Sequence, residues 1–379
     1  MTYRKILLFF GALSISTTNL LVAHNASQPD SVYVSLDKQE RKAYREITPD
    51  AGPRVAQGTD LFVTANFIWW RVSQDGLDYA TNGFVSGGAP ADAPFSNNAQ
   101  KGYMQSVGKD WSPGFKVGLG MNLDHDGWDL YLKYAWLHAN DSSSIAGKNV
   151  ALVTFALSGG ENGPLSRTTD GSAKSHWDLH FNVLDLELGR NFSLSQFLNM
   201  RPYIGLKGTW QCQNQTVRLF GNGFTVEVAE AQNNRLSVTG PFVTKQAQDT
   251  WGVGIRGGFN LSWLLSRSWS LYGDLSWTAL MTSYHKLRRI DTLYDITTSG
   301  KQVTGNYDNP TTYHVNPIAE LELGLRWDTY FANGDYHFLI QAGWEEQMWL
   351  SWLRPIELID EVSHDLSFHG LNLKFRFDF

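Results

Sequence analysis

The chain has 379 residues, a formal charge of −6 and only 18% charged residues. With 15 Trp, 15 Tyr, 21 Phe and 35 Gly, it carries less charge and more Trp than an ordinary soluble enzyme. The negative balance and the lack of any basic run argue against nucleic-acid binding, and the single cysteine, Cys212, excludes an intramolecular disulfide and a Cys-based zinc site.

At the N-terminus Arg4 and Lys5 precede an apolar run from Ile6 to Leu13, and small and polar residues follow. That order predicts a signal peptide over 1–23, cleaved at 23–26, where Ala23 or Ala26 would end it. No later stretch reaches the roughly 18 apolar residues that a spanning helix needs. Residues 24–58 read as a polar periplasmic segment with a short helix around Lys38 to Tyr44. From 59 to 379 the apolar pattern has period two, which is strand spacing.

Ten strands are predicted, near 60–74, 112–123, 128–139, 176–192, 200–213, 248–261, 268–283, 314–329, 335–350 and 364–379. In the second, Phe115, Val117, Leu119, Met121 and Leu123 alternate with Lys116, Gly118, Gly120 and Asn122. The polar turn Asp124 to Gly127 leads into the third, where Trp128, Leu130, Leu132, Tyr134 and Trp136 share a face. Pro113, Pro202 and Pro317 fall near strand starts, where a missing N–H is tolerated. Two places are irregular. The apolar phase slips between Val183 and Leu184, which predicts a bulge or a membrane exit. In the first strand Ile68, Trp69 and Trp70 are apolar on both faces.

The connections alternate in length. Long ones cover 75–111, 140–175, 214–247, 284–313 and 351–363; short ones cover 124–127, 193–199, 262–267 and 330–334. With a periplasmic N-terminus, all long loops lie outside and all short turns lie in the periplasm. An even strand count satisfies this arrangement. Short strands within 149–157 or 216–228 would raise the count to twelve or more, or form loop hairpins.

Two magnitudes favour lipid over a protein core on the apolar faces. The segments run about 11 to 16 residues, whereas soluble strands average about five or six and a tilted barrel strand needs about ten. Aromatics also bracket the faces at constant spacing: Trp128 and Trp136, Trp269 and Trp277, Tyr336 and Trp344. Eight residues rise roughly 26 Å along a strand, or roughly 20 Å along the membrane normal after a ~40° tilt. The predicted fold is therefore all-β: a transmembrane antiparallel up-and-down barrel in the bacterial outer membrane.

Specific stretches point to a family. They are Phe67 to Arg71 with Gly76 to Ala80, Ser112 to Gly118, Asp126 to Tyr131, Asp185 to Arg190 and Arg201 to Leu206. In this order they resemble the Legionella and Chlamydiales major-outer-membrane-protein-like, pore-forming family. The resemblance implies a porin-like, surface-exposed protein and brings no catalytic site. A single cysteine departs from the cysteine-rich chlamydial porins, so cross-linking beyond one bond through Cys212 is not expected.

The alternation places Lys116, Lys133, Lys207, Arg256, Arg326, Lys374 and Arg376 inside the barrel. Asp129, Glu187, Asp274, Glu320, Glu322, Glu345 and Asp378 face them. Mixed charges across a water-filled lumen filter ions by sign and size; alternatively they pair off and plug a narrow one. Eight strands leave room only for side chains and sixteen leave a channel, so ten lies between. Inward Gly118, Gly120, Gly205, Gly252, Gly254, Gly258, Gly324 and Gly343 would widen the lumen or ease its curvature. On this reading Leu275→Lys is costly and Ser276→Lys is tolerated.

Other motifs are discounted. Gly252-Val253-Gly254-Ile255-Arg256-Gly257 fits a dinucleotide fingerprint, but it lies inside an alternating strand, not at a helix start. His176 and His180 with Asp178 would be a metal pair on a helix; on a strand they read as rim residues. An outer-membrane hydrolase would draw on His138, Asp141, His176, Asp249, His285 and His314, and no spacing gathers them. The chain is thus read as a non-enzymatic channel for passive diffusion of small hydrophilic solutes, with no cofactor and no metal. The alternative is a surface adhesin or structural protein acting through its long loops. Expected partners are outer-membrane lipid and the barrel-assembly machinery. Host-cell ligands and homo-oligomers are left open. For assembly, Phe375, Phe377 and Phe379 resemble the terminal signal, and Gly370-x-x-Leu373-x-Phe375 partly fits its spacing.

Overall fold

The computed structural model describes residues 50–55, 60–82, 103–123, 126–152, 167–222, 225–226, 236–237, 241–294, 302–356 and 362–379. The expected signal peptide, the short helix and all but 50–55 of the N-terminal segment lie outside the described residues.

Ten long strands form the barrel. They are β1 (Leu61–Gln74), β2 (Trp111–Asn122), β3 (Trp128–Leu152), β4 (Arg167–Arg190) and β5 (Leu198–Asn222). They continue as β6 (Phe242–Leu264), β7 (Trp269–Tyr294), β8 (Thr312–Phe331), β9 (Tyr336–Leu353) and β10 (His364–Asp378). Each pairs antiparallel with the next. β10 returns to β1, from Phe62↔Asp378 to Gln74↔Leu366, and closes the sheet. The terminal Phe379 extends this closure, with its N–H donating to the Leu61 carbonyl at 2.9 Å. Closure removes the unpaired edges that such long strands would otherwise present.

The register fixes the barrel's dimensions. From Trp136, paired residues lead one way through Asn182, Trp210, Trp251 and Ser283 to Tyr313. The other way they lead through Phe115, Phe67, Leu373 and Ala342 to Leu325. The two ends, 313 and 325, lie twelve residues apart on β8. Ten strands with that stagger tilt by about 40° and close at a backbone radius of about 10 Å. Opposed aromatic side chains can nearly fill such a lumen.

The strands are longer than the periodicity implied. Residues 149–152 and 216–222 continue β3 and β5 rather than adding barrel strands. Much of the expected loops 140–175, 214–247 and 284–313 is also strand. Two short strands, Asp78–Thr81 and Met104–Ser106, add to the end of β3. Another, Gln302–Asn309, pairs with the end of β7. These extensions lie at the long-loop end, which faces outward in outer-membrane barrels.

Two solvent regimes divide the wall. In the lower part the outer face is apolar and exposed, as at Leu206, Val253, Ile255, Leu323 and Leu325. Trp69, Trp111, Trp210 and Trp251 bound this band at the outer end, and Trp263, Trp269 and Tyr336 bound it at the periplasmic end. Past the outer girdle the pattern inverts. Ile145, Val150, Ala173, Val217, Leu219 and Phe242 now point inward as a buried cluster, while Ser144, Lys174, His176 and Arg218 point out. The slip at Val183 and Leu184 is this inversion. The pairing of β4 with both neighbours runs through it unbroken, so there is no bulge there. A register shift does occur between Asp249 and Thr250 on β6.

Candidate functional site: the barrel lumen

Three layers fill the lumen. The uppermost of the three, level with the outer girdle and below the inward cluster of Ile145, Val217 and Phe242, is apolar. Trp70 follows the girdle residue Trp69 on β1, and Phe181 precedes Asn182, which pairs with Trp136 and Trp210. Phe181 packs on Phe368 at 4.6 Å and on Trp349 at 5.3 Å between ring centroids. Trp70 meets Phe368 at 5.4 Å, and Trp349 meets Trp352 at 4.9 Å. These rings come from β1, β4, β9 and β10 and are fully buried. They join Ile68, Leu137 and Leu179 in one apolar cluster. Ile68 and Trp70 face inward while Trp69 faces lipid, which accounts for the two-sided apolar stretch in the sequence.

Below it lies a layer of ion pairs. Lys116 on β2 reaches past β1 and β10 to Glu345 on β9, at 2.6 Å. Lys207 bridges Asp185 at 2.9 Å and Glu320 at 2.8 Å. Arg256 donates to Glu320 and lies 3.4 Å from Glu187. Lys133 stands 3.3 Å from Asp185 and 3.7 Å from Glu187. Arg201 holds Asp129 at 2.5 Å and Glu187 at 3.1 Å. These pairs stitch β3, β4, β5, β6 and β8 together across the interior. Removing one partner of such a pair leaves an uncompensated buried charge, which is strongly unfavourable.

The third layer is a polar cavity of roughly 210 Å³ towards the periplasmic end. Asp274 accepts from the Tyr203 hydroxyl at 3.1 Å, and Glu322 from the Tyr272 hydroxyl at 2.5 Å. Arg376 binds Asp378 at 2.5 Å, and Asp378 also pairs with His337 at 2.7 Å. Lys374 lies over the Tyr131 ring at 5.3 Å, and Arg326 over Tyr272 at 5.6 Å. The Arg326 Nε has no hydrogen-bond partner. Lys374 and Arg326 sit on one register row through Gln341. Together they present donors to the cavity.

Every charged residue expected to face inward does so, from Lys116 to Asp378. Their arrangement differs from opposed charges across open water, because most are paired. Glu345 sits mid-lumen, where it pairs with Lys116. The inward glycines do not widen the lumen. Gly118 and Gly120 make room for Tyr131 and Phe62, and a Cβ at Gly343 would collide with the Tyr272 hydroxyl. Ser276 is 1% exposed and bonds Glu320 at 3.1 Å, so a lysine there would not be accommodated without disruption. Sequence reasoning missed Asp185 and Arg201, although each shares a face with a residue it found, Glu187 and Lys207. It also missed the aromatic layer, whose only signals were the irregularities at Trp70 and Val183.

Of the hydrolase candidates, His138, Asp141 and His176 engage separate partners. His176 Nδ1 lies 2.8 Å from the Ser142 hydroxyl on the outer face. Asp141 instead accepts from the Gly108 and Lys109 N–H groups, and Asp178 accepts from Asn214. His138 and His180 stack at 4.2 Å. Among the described residues no group of three metal-ligating side chains is found.

The model of the Legionella pneumophila major outer membrane protein precursor family matches residues 53–379. The chain belongs to this family. With the closed ten-strand barrel, membership places it in the bacterial outer membrane. No match is found among curated protein sequences. Among solved structures it is similar to the outer membrane protease OmpT of Escherichia coli, at 10% identity and TM-score 0.35, covering 86% of this chain and 100% of that one. It is also similar to a major outer membrane protein of Thermus thermophilus, at 11% identity and TM-score 0.23, covering 83% and 99%. A third is the toluene transporter TodX of P. putida, at 12% identity and TM-score 0.25, covering 85% and 90%. At these scores the likenesses carry no argument about activity.

Proposed function

We propose that this outer-membrane protein is a narrow, gated channel for passive diffusion of small hydrophilic solutes and ions. The observation that carries the reading is the layered lumen. A polar cavity of roughly 210 Å³ at the periplasmic end, lined by charges of both signs, lies below an aromatic layer, with a second buried apolar cluster beyond it. A hydrophobic constriction of this kind gates by dewetting. Conduction then requires displacement of Phe181, Trp349 and Phe368 and parting of the cluster around Phe242 beyond them, while the barrel wall stays closed. The uncommitted donors of Lys374 and Arg326 would bias which ions enter. No reacting constellation is invoked, and the protein is read as non-enzymatic.

Purified protein in a planar bilayer is expected to give small, infrequent conductance steps. The double variant Phe181→Ala, Trp349→Ala should give larger and longer ones. A sealed bilayer over many insertions of both proteins would sink the channel reading. It would favour a structural or surface-presenting role, which the paired lumen charges and the strands projecting past the outer girdle also support.

A further inference from the structure

The outer face of β4, β5 and β6 beyond the outer girdle carries cations that make no ion pair among the described residues. Lys174 on β4 stands directly opposite Arg218 on β5. Two residues closer to the membrane, His176 on β4 and Lys245 on β6 both pair with Thr216 between them. All four are exposed. From β3, Ser144 pairs with Lys174, and the Ser142 hydroxyl meets His176 Nδ1 at 2.8 Å. Among the described residues, Lys174, Arg218 and Lys245 make no ion pair. Their neighbours on β7 differ: Lys286 holds Asp249 at 3.0 Å and Arg288 holds Asp308 at 2.7 Å.

Like charges directly opposite in a sheet destabilise it. Strand pairing on both sides of β5 holds these residues in place, so they cannot separate by a loop rearrangement. The position of the patch restricts what can neutralise it. Arg218 lies eight residues past the girdle residue Trp210, and Lys245 six residues past Trp251. That is roughly 15–20 Å above the girdle along the membrane normal at a ~40° tilt. Headgroup phosphates at the lipid interface lie below this height. The outer leaflet of this membrane is a glycolipid whose acidic sugars and sugar phosphates extend outward from that interface. Arg and Lys suit such anions, and the serine and threonine hydroxyls suit the sugar.

We propose that Lys174, Arg218, Lys245 and His176 form a binding site for the anionic core saccharide of the outer-leaflet glycolipid. The site neutralises a repulsive patch and fixes lipid against one side of the barrel.

The full chain refolded in zwitterionic micelles would be titrated with purified lipopolysaccharide, with the same glycolipid lacking its core saccharide, and with inorganic phosphate. Lys174→Ser, Arg218→Ser should bind intact lipopolysaccharide about 30-fold more weakly, taking roughly fivefold per charge. The wild type should bind the core-less glycolipid as weakly as that variant binds the intact one. Without lipopolysaccharide the variant should melt at the same temperature as the wild type or higher, because the repulsion is gone. Equal lipopolysaccharide affinity in wild type and variant would overturn the site. So would equally tight binding of the core-less lipid, or of inorganic phosphate alone. Lys245→Ser, which leaves the opposed pair intact, repeats the affinity test should the double variant not refold.

Discussion

Breaking the Lys116–Glu345 pair tests whether the lumen is held by compensated charge. The two groups lie 2.6 Å apart, and each side chain is 6% exposed. Lys116→Met leaves the Glu345 carboxylate buried with two neutral donors, Gln347 at 2.7 Å and Asn372 at 2.9 Å. Removing one partner of a buried pair costs about 3–5 kcal/mol, and those two donors put the loss near about 3 kcal/mol. Glu345→Gln leaves the Lys116 ammonium over the Trp70 ring at 4.7 Å. That contact softens the loss to about 2 kcal/mol. The double variant has no orphaned charge and should lose only about 1–2 kcal/mol, a coupling of about 3 kcal/mol. Reversible urea unfolding in phospholipid vesicles, followed by Trp fluorescence, measures all four proteins. Additive losses, with the double variant the least stable, would show that the pair carries no such coupling and would refute the reasoning.

Two further outcomes follow from the wall. Leu323→Lys points into mid-membrane lipid and should cost about 2–4 kcal/mol, whereas Met348→Lys, near the level of the outer girdle, should cost about 0–1 kcal/mol. Equal losses in the same unfolding assay would contradict the assigned membrane band. Cys212 lies just past Trp210 on β5, and partial burial, with the Asp249 carboxylate beside it, pushes its thiol up to about 11. Maleimide labelling near neutral pH should therefore run roughly 100-fold slower than for a free thiol and rise tenfold per pH unit. Labelling at the free-thiol rate would place Cys212 in an unperturbed environment, and the same sluggishness would limit cross-linking through it.

The sequence by itself determined the barrel. Period-two alternation over long segments and paired aromatics eight residues apart specified ten strands and their lipid faces. The reason is local: a strand's side chains alternate sides whatever its neighbours do, so inward Lys374 and Arg376 were legible beside outward Phe375 and Phe377. What the tertiary structure decided is what inward means at each height. Alternation cannot tell an apolar face turned to lipid from one turned to a dry interior. Val183 and Leu184 therefore read as a slip, although β4 keeps one register while the medium on each side changes. Nor does periodicity set the stagger, and the stagger fixes the radius. At that radius Trp70, Phe181, Trp349 and Phe368 meet across the lumen, and Lys116 reaches Glu345 past two intervening strands. Spacing along the chain carries no trace of those encounters, because they join residues as distant as 70 and 368.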